Sequence, residues 1–368
     1  MRQDEGGAKF LNSRDEKHGQ HGGAVGFLSE GNNLLLSTLD NGAGNIEMQL
    51  GSGYFRKKLR SERAMLSVEH SVIAPHGDHS FAVIAVNITN ESPRARSLKY
   101  VETWSRLMHE LHNPGRWKQI VKEKDVTATE FALAVTHRVQ NSEDGAPGLL
   151  DTVVPPTGGP AEPPPGSRFP AASQHDYNPR PAFLRVIDGG SPPSRVGCNG
   201  TALFPDGSSS MPDLTNGFMC EAAGGVFDAE ALLALELEVE VAASSSTVRY
   251  LAFGYVTPGS TQSSALPGEF VGKKAAAAVW KASSEAWRAQ SITFSAPEVG
   301  DWLERETLWH SHMLRGALTY DSYWDGYTLD QNGGYMYASG DNDAQARGEC
   351  NNAITLALLA ASLTRPVS

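Results

Sequence analysis

Cysteine is scarce in this chain: three in 368 residues, Cys198, Cys220 and Cys350, an odd number with no CxxC pair. That spacing indicates neither a zinc ribbon nor a disulfide framework. Basic residues are also few, 31 Lys and Arg against 42 Asp and Glu, for a formal net charge of -11. The basic footprint that phosphate backbones require is missing, so no nucleic-acid partner is expected. Long apolar runs are absent too. The longest, at 231–235 and 354–361, fall far short of a bilayer span, so no membrane partner is expected. The opening MRQDEGGAKFLNSRDEKHGQHGG lacks the apolar core of a secretory signal. Residues 1–23 are therefore expected to form a disordered tail or a loop, and the protein to be cytoplasmic. On that expectation the sequons at Asn87, Asn90 and Asn199 arise by chance. What is present, 40% hydrophobic and 20% charged residues, suits a soluble globular protein long enough for two domains.

From residue 24 to 140 short apolar runs alternate with turn residues. In MLSVEHSVIAP the period is two, which puts Leu66, Val68, His70 and Val72 on one face. Strands at this spacing predict an antiparallel β-sandwich and not βαβ units. The His76–His79 turn, in PHGDH at 75–79, fits a hairpin tip better than a metal site. Residues 141–182 are crowded with Pro and Gly and hold neither ladder nor helix; they fit an insertion better than an interdomain linker. Strand pattern then resumes. In ELEVEV, Leu237, Val239 and Val241 are expected inward and the glutamates outward. The sandwich is thus expected over 24–265. From 266 to 300 a helical linker is expected, with Phe270, Trp280 and Trp287 in an Ala- and Lys-rich amphipathic run. A second helix begins at Asp301 with Trp302, Arg305, Leu308, Trp309 and His312 at helical spacing. It ends near Leu318, where a loop dense in Tyr, Trp, Asp, Asn and Gly takes over, followed by an apolar helix.

Metal readings fail on geometry. His310 and His312 stand two apart on a helix, hence roughly 200° apart around its axis. His109 and His112 imitate a zinc motif with one residue too few. DNDAQARGECNN places Ala346 and Asn352 where a calcium loop needs glycine and glutamate. No Gly-rich phosphate loop and no nucleophile elbow is present. The terminal loop offers different chemistry. Rings beside carboxylates and amides suit sugars, whose apolar faces stack while their hydroxyls take hydrogen bonds. Trp324, Tyr335 and Tyr337 are candidate stacking platforms, or they pack under the loop. Asp325, Asp343 and Arg347 are candidate hydroxyl contacts. No catalytic residue is assigned, because carboxyl spacing decides between mechanisms of glycoside cleavage and sequence does not supply it.

The strings VNITNESPRARSLKYVETWS, WLERETLWHSHML and LDQNGGYMYASGDNDAQARGECNNAITLALLA together resemble the six-hairpin glycosidase superfamily, especially its cellobiose- and chitobiose-phosphorylase-like branch. The resemblance implies a large galactose-mutarotase-like sandwich, linker helices, and over 301–368 the first hairpin of an (α/α)6 barrel. In that family an Arg-Asp pair followed by Gln opens the second barrel helix. Here Arg347 matches, Gly348 replaces the aspartate, and Asn351 and Asn352 replace the Gln and a following acid. The family's general acid has no counterpart in these 368 residues, so a truncated barrel is expected. The implied function is that of a glycoside phosphorylase or hydrolase acting on β-linked gluco-oligosaccharides. It would need no cofactor, with inorganic phosphate as co-substrate in the phosphorylase version, and a homodimer is expected. The rival is a non-catalytic carbohydrate-binding or structural sandwich.

Overall fold

A computed structural model describes residues 2–5, 8–12, 14–15, 20–21, 23–39, 46–77, 79, 81–105, 108–110, 120–128, 132–140, 182–208, 210–219, 231–255, 266, 268–291, 293–294, 296–321 and 326–329. Its centre is two antiparallel sheets packed face to face. The smaller has five strands: β5 (Val25–Glu30), β6 (Asn33–Ser37), β11 (Arg96–Ser105), β16 (Arg195–Asn199) and β17 (Ala231–Val241), ordered β16-β17-β11-β5-β6. The larger has eight: β7 (Ile46–Gly51), β8 (Tyr54–Ser61), β9 (Leu66–Ile73), β10 (Phe81–Asn90), β13 (Ile120–Ala128), β14 (Ala132–Gln140), β15 (Ala182–Val186) and β18 (Ser245–Tyr255), ordered β13-β14-β15-β18-β10-β9-β8-β7. The expected β-sandwich is present. Residues 141–181 join the neighbouring strands β14 and β15 of one sheet and lie outside the described residues.

Alternation explains the core between the sheets. Leu66 and Val68 of β9 bury there with Ile84, Val86 and Ile88 of β10, Leu98 and Tyr100 of β11, and Leu237, Val239 and Val241 of β17. Val72 packs against the same core and His70 is fully buried, as the period of two requires. Glu238 and Glu240 point outward, but Glu236 does not follow that expectation: it is 1% exposed. Its own face of β17 is covered by the segment around α1 (Gly200–Leu203), where Leu203, Phe204 and Leu214 pack on Leu232 and Ala234. Burial is tolerated because Arg195 pairs with Glu236 through Nε and Nη2, Ser194 donates at 2.8 Å, and Lys99 lies 3.7 Å away.

Other expectations are replaced. The start of the chain, expected as a disordered tail, contains β1 (Arg2–Glu5), β2 (Ala8–Asn12), β3 (Arg14–Asp15) and β4 (Gln20–His21). β1 and β2 pair antiparallel, from Arg2 with Leu11 to Glu5 with Ala8. β2 also pairs with β12 (Met108–Glu110). Cys198 is disulfide-bonded, against the expectation of no disulfide; its partner lies outside the described residues.

The period then becomes helical. α2 (Lys273–Gln290) starts after Gly272, whose positive φ of 109° suits glycine. It lays Ala276 and Val279 on the outer face of the larger sheet, over Ile73, Phe81, Val83, Phe183 and Ala252, with Trp280 alongside. α3 (Trp302–Ala317) follows. The loop expected next begins instead as a hairpin of β19 (Leu318–Asp321) and β20 (Gly326–Leu329), where Thr319, Tyr320, Tyr327 and Thr328 supply strand-favouring side chains.

Candidate functional site

Three places in the described residues bring polar chemistry together. The first is a cleft of about 950 Å³ where the turn after β7 meets α2 and α3. Tyr54 and Trp309 supply ring surface, Arg288 and Arg305 guanidinium groups, and Glu285 and Glu306 carboxylates. The sheet fixes Tyr54: its ring lies 4.3 Å from the Trp280 ring on α2, and the Arg56 guanidinium sits 4.3 Å above that same ring. The hairpin between β9 and β10, expected as a simple tip, clamps the helix further along. His76 Nε2 lies 2.9 Å from Gln290 Oε1, and the His76 amide donates to Ser283 Oγ at 2.7 Å. Ser283 in turn donates to the Ala74 carbonyl, and the His76 ring meets Trp287 edge-on at 5.0 Å. Both cleft carboxylates stay in solvent and each faces a side chain one helical turn away, Glu285 the Lys281 Nζ at 3.8 Å and Glu306 the His310 Nε2 at 3.7 Å. The cleft thus sets ring surface beside guanidinium donors, and its two carboxylates are exposed.

The second place is a concavity of about 670 Å³ on the open part of the larger sheet's outer face, lined by Glu47, Lys58, Arg60, Glu69, Asn87 and Glu91 among others. Part of its lining is paired: Arg60 grips Glu91 through both oxygens at 2.8–3.0 Å, and Thr89 bonds Ser246, while Asn87 Oδ1 is buried without a hydrogen-bond partner. The Arg60 bond holds the Glu91 carboxyl below its usual range. No ring lines it, which separates it from the cleft.

The third is buried in the sandwich. Glu102, 0% exposed, accepts from three donors: Tyr100 Oη at 2.6 Å, Trp104 Nε1 at 2.8 Å and His70 Nε2 at 3.0 Å. Burial first, then the Glu102 charge, raise the Tyr100 hydroxyl well above its ordinary value. A Cβ at position 26 would overlap the Tyr100 ring and hydroxyl, so Gly26 makes room for this cluster. His70 Nδ1 is buried without a hydrogen-bond partner. Opposite a carboxylate, which only accepts, Nε2 is the ring nitrogen that donates. Among the described residues no group of His, Cys, Asp or Glu could hold a metal ion.

These contacts explain a string that carried the family resemblance. In VNITNESPRARSLKYVETWS, Asn90 is fully buried and closes the turn between β10 and β11. Its amide donates to Arg94 O at 2.7 Å and Ala242 O at 3.1 Å, and its oxygen accepts from Ser92. The Tyr and Glu that follow are the buried cluster, so the string encodes a scaffold.

The six sequence-predicted contacts, Trp324, Asp325, Tyr335, Tyr337, Asp343 and Arg347, lie outside the described residues. Trp324 and Asp325 fall in sequence between β19 and β20, and the other four follow Leu329. The cleft residues on the sheet were missed. Arg305 and Trp309 stood out by helical spacing, but no local pattern could set Tyr54 opposite them.

No protein-family model matches the chain, and no curated protein matches it. Among solved structures, it is similar to a putative kojibiose phosphorylase from human microbiome, with TM-score 0.46, 9% identity, and coverage of 81% of this chain and 32% of that one. It is also similar to a heparan sulfate lyase HepC mutant from Pedobacter heparinus, with TM-score 0.28, 9% identity, and coverage of 64% and 26%. The chain thus spans about a third or less of the length of these structures.

Proposed function

We propose that this chain is the N-terminal portion of a carbohydrate-active enzyme, a glycoside phosphorylase or hydrolase of β-linked gluco-oligosaccharides. The observation that carries the proposal is the cleft where sandwich and helices meet, with Tyr54 and Trp309 as ring surface and Arg288 and Arg305 as donors. It lies beside α3, the helix that runs on toward the Tyr-, Trp- and Asp-rich segment. Trp324, Asp325, Tyr335, Tyr337, Asp343 and Arg347 are proposed as further contacts to the same oligosaccharide. The helices after the sandwich are proposed to open an (α/α)6 barrel. The chemistry proposed is an acid-assisted displacement at the anomeric carbon, by inorganic phosphate or by water. The test is a sugar-release assay with and without phosphate across a panel of disaccharides, using the full-length gene product. Phosphate-dependent release of a sugar phosphate supports phosphorolysis. Release without phosphate supports hydrolysis, and no release with any member sinks the enzymatic reading.

One observation favours the rival, a carbohydrate-binding sandwich without catalysis. Glu285 and Glu306 are 68% and 57% exposed on their helices, and neither is enclosed beside the cleft's rings. Saturable oligosaccharide binding without turnover, weakened at least tenfold by Trp309→Ala, would select that reading. A cytoplasmic location remains the proposal from sequence, but the Cys198 disulfide is the chemistry of an oxidising compartment. Thiol alkylation with and without reductant decides: one free thiol of three without reductant supports export, three free thiols support the cytosol.

A further inference from the structure

The cleft between the β7–β8 turn and the two helices has a shaped floor and charged donors of one kind. The turn makes room at Gly51, where a Cβ would overlap the Tyr54 ring that lies across it. Trp280 lies 4.3 Å from the same ring, so Tyr54 is held between strand and helix. On α3, Arg305 and Trp309 stand four residues apart and hence on one face; on α2, Ser284 and Arg288 do the same. All four line the cleft. The corner between the helices is tied where the Phe294 amide donates to Thr307 Oγ1 at 3.0 Å. Each helix thus brings one guanidinium to a space that also offers the rings of Tyr54 and Trp309.

Neutral sugars present hydroxyls, which donate and accept, and groups that do both, such as amides and hydroxyls, meet them fully. An arginine carries five N–H donors and no acceptor, in a planar fork that fits a carboxylate or a charged ester through two parallel bonds. Among the described residues the cleft's own carboxylates are directed elsewhere: Glu285 pairs with Lys281 at 3.8 Å and Glu306 lies 3.7 Å from His310, each along its own helix. The concavity on the same sheet shows the contrasting case, where Glu91 takes both Nε and Nη2 of Arg60. We propose that the cleft takes an acidic glycan. Its sugar rings would stack on Tyr54 and Trp309, while an anionic ring substituent, a carboxylate or a charged ester, is met by Arg288 from α2 and Arg305 from α3. The proposal rests on the reading of the cleft as an oligosaccharide site and narrows it. The two arginines select charge, and a neutral gluco-oligosaccharide leaves both forks to water.

The test is calorimetric titration of the full-length gene product. The probes are a neutral β-linked gluco-oligosaccharide, the same chain oxidised to uronate at C6, the same chain sulfated at C6, and inorganic sulfate alone. The proposal expects an acidic chain to bind about tenfold or more tighter than the neutral one, because charge-assisted hydrogen bonds are the stronger ones. Uronate ahead assigns a carboxylate, and the sulfated chain ahead assigns an ester. The preference should vanish in the double variant Arg288→Gln, Arg305→Gln, and should shrink with added salt, which screens exposed charges. Both arginines are exposed, so the double variant should fold. Lys274→Gln, exposed in the first turn of α2, should keep the wild-type preference. Equal affinity for neutral and acidic chains overturns the proposal and leaves the oligosaccharide reading standing. A preference that survives the double variant also overturns it, as does sulfate alone binding as tightly as the acidic chains. Acidic-chain binding without sugar release upholds the proposal and sinks only the enzymatic reading. No binding by any chain overturns both.

Discussion

Glu102 shows how one buried carboxylate can be held. Its three donors come from two neighbours on its own strand and from His70 on the facing sheet, so the cluster ties the two layers together. Removing the acceptor strands three buried donors. Glu102→Ala is expected to cost about 3–5 kcal/mol, whereas Tyr100→Phe, which leaves two donors in place, should cost about 1–2 kcal/mol; urea unfolding measures both. Spectrophotometric titration should also leave one tyrosine un-ionised until the chain unfolds in alkali, because burial and the Glu102 charge hold Tyr100 well above the ordinary value. Glu236 behaves differently. Burial pushes its carboxyl upward, but the bonds from Arg195 and Ser194 and the charges of Arg195 and Lys99 prevail, and it lies below its usual range. A carboxyl depressed in the folded state adds stability above its unfolded value and loses it as pH falls through the folded value. Glu236→Gln should therefore destabilise at neutral pH, by about 1–3 kcal/mol, and the gap from wild type should close in acid. Sequence alternation made Glu236 an outward residue. Only the pairing of β16 with β17, which brings Arg195 beside it, makes its burial possible.

At the scale of elements, α2 depends on docking more than on its own propensity. Alanine and lysine favour the helix, but its start has no side-chain cap, and the apolar stripe gains its stability from the sheet below. The stripe was legible: Trp280 and Trp287 stood out at amphipathic spacing. The partner surface was not, because Tyr54, Ile73, Phe81 and Ala252 come from four strands. Ser283 is the clearest case, a small polar residue in a helix that reads as a spacer. In the fold it satisfies the His76 amide and the Ala74 carbonyl together. Val279→Asp, at 6% exposure, would bury an unpaired carboxylate against Ile73 and Phe81. It should undock α2 without unfolding the sandwich: amide exchange in α2 should speed by orders of magnitude, with β10 and β11 still protected. Loss of protection throughout would show that helix and sandwich are one cooperative unit.

At the scale of the whole molecule, the period of two was enough to read a sandwich. Leu66, Val68, Leu237 and Val239 all bury as alternation demands. Sheet order and width were not readable, since they depend on which distant strands become neighbours. The sugar contacts proposed from composition, Trp324, Asp325, Tyr335, Tyr337, Asp343 and Arg347, are local features of one segment, whereas the cleft is assembled from the sheet and two helices. Unequal sheet widths also set a gradient of stability. β10 and β18 in the larger sheet, and β11 and β17 in the smaller, are flanked on both edges and bury residues such as Val86, Leu251, Tyr100 and Leu237 completely. Their amides should exchange only through global opening, while the overhanging β7 should exchange through local fraying. Within β7 the backbone phase separates two sets of amides. Gly51 and Tyr54 face each other across a two-residue turn as a hydrogen-bonded pair, so by alternation Gly51 and Gln49 bond to β8 while Met48 and Leu50 direct their backbone groups away from it. Exchange at Met48 and Leu50 should therefore outrun exchange at Gln49 and Gly51, which NMR-detected exchange at single amides reads directly. Uniform rates at all four positions would show that β7 and β8 open together.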